Sequence, residues 1–141
     1  MNKNLYEIFD EFESAKSDSE RKRILSNNLT PTLIKVLEYT YHPGYTWNIK
    51  ELPDNYMPKE IPPGMSYAGL GKELRKVYLF QEGHPVAATL TPQRRNELLL
   101  QLLENLEPRE AEVVMGIMRK DQGVRGLTYK FVKECFPNLL P

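Results

Sequence analysis

Near the C-terminal end, Gln122-Gly123-Val124-Arg125-Gly126 sets two glycines around a cation and leads into a helical pattern opening at Leu127-Thr128. Those residue types at that spacing suit one chemistry, the gripping of an anion by backbone amides. Glycine lets the chain turn tightly and approach a phosphate closely, and N–H groups at the start of the following helix bind anions. Arg125 adds a charge-assisted donor. Lys130 and Lys133 lie at i, i+3 on the emerging helix, and Lys120 precedes the turn. The same residues also describe a plain helix–turn–helix connector with solvated lysines, and neither reading carries base specificity.

Other chemistries fail on spacing. No Gly-x-x-x-x-Gly-Lys-Ser/Thr loop and no Gly-x-Gly-x-x-Gly after a strand are present. Gly69-Leu70-Gly71-Lys72 lacks the loop length and hydroxyl partner of a phosphate loop and reads as the start of a helix. His42 and His84 each precede a proline in a turn, with no Ser or Cys partner indicated. The one cysteine, Cys135, lies on an apolar helical face beside Phe131 and Val132 and reads as core. Two histidines and one cysteine far apart make no familiar zinc site. We therefore expect no enzyme, no cofactor and no metal.

A chain of 141 residues fits one domain, 1–141, able to bury a core. Its 40% hydrophobic and 27% charged content is that of a soluble globular protein. No apolar run approaches the ~20 residues a membrane span needs. The acidic, amphipathic N-terminus lacks a signal-peptide layout, and a lone cysteine fits a reducing cytosol, so a cytoplasmic location is expected. Net charge is zero but unevenly spread: residues 1–20 hold two lysines against six acids, and 119–133 hold five basic residues against one acid. That asymmetry is compatible with a binding face on a neutral protein.

The elements that would hold the turn are helices. Leu5, Ile8, Phe9 and Phe12 form one apolar stripe. Ser17 to Glu20 has capping-box spacing and begins a second helix through Leu25. Thr30-Pro31 opens a third, fading near Tyr41, and Thr91-Pro92 opens a fifth lined by Leu98, Leu99, Leu102, Leu103 and Leu106. Pro108 opens a sixth through Met118, and Leu127 to Cys135 forms the last. Between His42 and Met65, five prolines rule out a helix. Tyr45, Trp47, Ile49, Tyr56 and Met57 offer too much apolar surface for a free linker, so an ordered excursion is expected, with a short extended pair near 45–49. A fourth helix is expected from Ser66 to Phe80, with Leu70, Leu74, Val77 and Tyr78 facing inward. The fold class is all-α, a compact bundle of about seven helices.

These residues together resemble a known family. Glu110-Ala111-Glu112-Val113-Val114, the Arg119-Lys120-Asp121 step, the glycine turn and the closing Phe136-Pro137-Asn138-Leu139-Leu140-Pro141 resemble the N-terminal DNA-binding domain of ATP-dependent DNA ligases. The likeness is greatest to ligases of large tailed bacteriophages. Upstream it extends through helices around Ile8 and Ile24, then Tyr39-Thr40-Tyr41, Gly44, Ile49-Lys50 and Pro53. The resemblance implies an all-helical domain that holds duplex or nicked DNA from the minor-groove side through phosphates and sugars. The contacts it implies are Gly123, Arg125, Gly126, Thr128 and Lys130, with Lys120 and Lys133 beside them. The family's nucleophile is the lysine of Lys-x-Asp-Gly, a pattern this chain lacks, so DNA binding without ligation is implied. The zero net charge predicts a weak, salt-sensitive binder. Two alternatives stay open. One is a protein-interaction or regulatory module on the same scaffold, using Tyr6, Phe9 and Phe12 toward a replication protein or host factor. The other is a fragment of a full ligase.

Overall fold

Caps and prolines set the starts of the second, third, fifth and sixth helices where the sequence places them, while the last begins at Tyr129, two residues later than expected. In a computed structural model describing residues 3–58, 60–62 and 69–141, α1 spans Leu5–Ser14, α2 Asp18–Asn27 and α3 Pro31–Tyr41. Then come α4 at Leu70–Glu73, α5 at Pro92–Glu104, α6 at Pro108–Arg119 and α7 at Tyr129–Cys135. Ser17 accepts from the Glu20 amide at 3.1 Å, Thr30 from Leu33 at 3.2 Å and Thr91 from Arg94 at 3.1 Å, each filling an otherwise orphaned first-turn donor. Glu107 caps α6 in the same way, accepting from Arg109 and Glu110. Among the described residues there are seven α-helices and no strand.

The hydrophobic stripes meet around α6. Val113, Val114, Met115, Ile117 and Met118 are all buried there, so α6 is apolar on most sides and runs through the core. It packs on α1, α3 and α5. Phe12 of α1 meets Phe131 of α7 edge-on at 5.2 Å, tying the first helix to the last. Tyr6, Phe9 and Phe12 are all buried, so the aromatic stripe considered above as a partner surface is part of the core.

The fourth helix departs from expectation. Ser66, its expected cap, lies outside the described residues. The segment is α-helical only over Leu70–Glu73 and continues as a 3₁₀ helix from Leu74 to Phe80. At three residues per turn, Leu74, Val77 and Phe80 fall in line and are buried, while Tyr78 is rotated outward and is 40% exposed. The 42–65 excursion is ordered where described. Trp47 is buried and donates from Nε1 to the Tyr39 carbonyl at 3.3 Å. Its extended stretch pairs with Gln81 in one isolated antiparallel bridge, not within itself. Met57, expected inside, is 72% exposed.

A candidate nucleic-acid interface at the turn between α6 and α7

Helix α6 ends because Lys120 turns left-handed at φ 62°, closed by the Asp121 amide donating to the Gly116 carbonyl at 3.0 Å. Its ammonium does not face solvent. Lys120 Nζ donates to the carbonyls of Tyr39 at 3.1 Å and His42 at 2.6 Å, at the end of α3, where the helix dipole favours a cation. Burial, helped by the charge of Lys50, holds its pKa down to about 8. Lys120 therefore bolts the turn to α3.

Gln122 makes the second attachment. Its Nε2 donates to Thr40 Oγ1 at 3.1 Å and to the Val113 carbonyl at 3.0 Å. The space it occupies exists because residue 116 is glycine: a Cβ there would lie 2.6 Å from Gln122 Oε1. The third attachment is Tyr41, whose hydroxyl donates to the Leu127 carbonyl at 3.0 Å. Burial pushes that phenol up to about 12. Three attachments to α3 and its end thus fix both sides of the turn.

Within this frame Gly123 and Gly126 sit at φ 69° and 85°, left-handed positions that a β-carbon would strain. Gly126 also lies against Arg21 and Phe12, which a Cβ would approach to 3.4 and 3.5 Å. Two amides of the turn already hold carboxylates. The Gly123 N–H donates to Asp121 Oδ1 at 2.9 Å, and the Arg125 N–H donates to Glu13 Oε2 at 3.0 Å. Thr128 caps α7 by accepting from the Phe131 amide at 3.2 Å. Lys133 donates to the Leu140 carbonyl at 3.0 Å and so clamps the tail. Among the described residues, Arg125 and Lys130 are the two cations of the sequence-derived set that are exposed and have no side-chain partner.

The structure therefore brings Gly123, Arg125 and Gly126 into one turn, with Thr128 and Lys130 directly after it. It directs Lys120 and Lys133 to internal carbonyls. Sequence reasoning missed the roles that Tyr41, Gln122, Gly116 and Glu13 play in holding the turn. A glycine inside the apolar run of α6 was the one local signal for Gly116. Glu13 lies 112 residues from the amide it meets, and nothing local marks it. On the α1 flank of the turn, a recess of about 170 Å³ is bordered by Asp10, Glu13 and Glu112, with Arg109 paired to Asp10 through bonds of 3.0 and 2.8 Å. No group of metal-ligating side chains is found among the described residues, and no described helix is long and apolar enough to cross a membrane.

The fold is similar to that of a solved structure named Pmar-Lig_PreS3, with a TM-score of 0.65 over 96% of this chain at 16% sequence identity. The chain spans 31% of that protein's length, and at this identity the likeness is one of fold. No curated protein matches the sequence. A family model matches residues 8–124, ending inside the turn at Val124, and by that match over most of its length the chain belongs to DUF6433, a family of unknown function.

Proposed function

We propose that this chain is a non-catalytic module that binds duplex or nicked DNA without sequence preference. Contact would be made through phosphates and minor-groove sugars at the turn between α6 and α7. The observation that carries the reading is the exposure of Arg125 on the glycine turn and of Lys130 at the start of α7, with the turn hydrogen-bonded to α3 on both sides. The solved structure of similar fold bears a name that reads as a ligase, which supports DNA as the partner. The bacteriophage character of the likeness belongs to the same proposal, and a fragment of a full ligase is its alternative. No ligation is expected of the chain itself, because the sequence holds no Lys-x-Asp-Gly.

Two free cations set the scale. Neutralising about two phosphates gives a slope of log affinity against log salt near −2, so affinity falls roughly tenfold between about 50 and 200 mM salt. Titrating fluorescently labelled nicked duplex, intact duplex and single strand at both salt levels tests the proposal. Binding to the duplexes with that slope supports it. Absence of binding at low salt refutes it.

A further inference from the structure

Two amides of the turn, those of Gly123 and Arg125, donate to carboxylates, and one of these arrives from another part of the fold. We infer that Glu13 is an internal competitor seated in the turn's anion site, so that phosphate enters only as the Glu13 side chain leaves. This deepens the DNA-binding reading and, for the natural occupant, rests on it.

The Arg125 N–H donates to Glu13 Oε2 at 3.0 Å, between two left-handed glycines that leave the backbone uncovered. An amide that holds a carboxylate in this way has the geometry to hold a phosphate oxygen, a stronger charge-assisted acceptor. Glu13 is exposed and reaches the amide by its side chain alone, while its neighbour Phe12 anchors α1 in the core. The carboxylate can therefore rotate out without moving the helix. The Arg125 guanidinium is exposed beside its own amide and has no side-chain partner among the described residues, so an arriving phosphate gains a contact that Glu13 does not use. Asp121 holds the neighbouring Gly123 amide from within the turn at 2.9 Å and travels with it. Glu13 is the member that can leave. Asp10 and Glu112 border the same flank, and the charge of Asp10 is answered by Arg109.

The test follows the Gly123 and Arg125 amide resonances of the full chain by NMR. Inorganic phosphate is titrated first, and nicked duplex second. Wild type is compared with Glu13→Ala and with Glu112→Ala, an equal change of charge on the same flank. Loss of one exposed charge-assisted contact should lower the phosphate midpoint about fivefold in Glu13→Ala, and by less than half that in Glu112→Ala. Equal midpoints in the two variants, or no phosphate response in Glu13→Ala, overturn the inference whatever DNA does. A lowered phosphate midpoint with no DNA bound by any variant upholds the competitor and refutes the DNA reading instead. Thermal melts of each variant establish that α1 remains docked.

Discussion

Replacing Gly116 by alanine sets two opposed effects against each other, and the structure decides which prevails. In a helix interior alanine is favoured over glycine by about 1 kcal/mol. At this site the new Cβ would lie 2.6 Å from Gln122 Oε1 and 2.8 Å from Nε2, so the Gln122 side chain must leave. Its departure breaks the bonds to Thr40 Oγ1 and the Val113 carbonyl, worth about 1 to 1.5 kcal/mol each. The balance is a net loss of roughly 1 to 2 kcal/mol, or a melting temperature lower by about 5 °C for a domain of this size. Urea unfolding followed by circular dichroism measures it. The decisive arm is Gln122→Ala. Once the obstructing side chain is gone, Gly116→Ala should stabilise by about 1 kcal/mol, giving a coupling of roughly 2 to 3 kcal/mol between the sites. A Gly116→Ala protein as stable as wild type, or an additive cycle, would refute the argument that glycine is there to admit Gln122.

Tyr41→Phe removes the donor to the Leu127 carbonyl and should cost about 1 kcal/mol at neutral pH. The phenol ionises near 10.0 unfolded but only near 12 in the fold, so the folded state holds more protons between those values. Stability from this group is intact below pH 10 and lost as pH rises toward 12. Tyr6, Tyr39 and Tyr56 are raised in the same direction, so urea midpoints for the phenylalanine variant should decline less steeply than those of wild type. Lys120 has the opposite sign. The unfolded chain keeps its proton to 10.5 and the fold releases it near 8, so this group makes stability rise across that interval. An NMR titration of labelled lysines should find one amine near 8, absent from Lys120→Met. Lys133→Ala should free the C-terminal tail, where Leu140 is buried and the Tyr129 hydroxyl donates to the Pro141 carbonyl. Hydrogen exchange at Leu139 and Leu140 should accelerate at a global cost of about 1 kcal/mol or less.

What the sequence discloses is what is written locally. Ser17, Thr30 and Thr91 announce helix starts because a cap and its amide lie three residues apart, and the stripe of α1 follows a single period. The same logic failed at Tyr78. After Glu73 the geometry changes from α to 3₁₀, which lines Leu74, Val77 and Phe80 up on the core, and no local residue marks the change. At the turn, the left-handed glycines were legible because few residues other than glycine fit there. The fate of the lysines was not. Lys120 and Lys130 look alike in sequence, yet one finds two carbonyls about 80 residues away and the other faces water. Glu13 likewise reads as one solvated acid among several on α1 until folding places it on the Arg125 amide.

The most direct test of the account compares wild type with Arg125→Ala/Lys130→Ala for binding to labelled nicked duplex across a salt series. Both residues are exposed and unpaired among the described residues, so stability should change by no more than about 0.5 kcal/mol. With both phosphate-facing cations gone, measurable binding should be lost even at low salt, where the wild type binds with a slope near −2. Unchanged affinity in a folded double variant would contradict it and place any DNA-binding face elsewhere on the molecule.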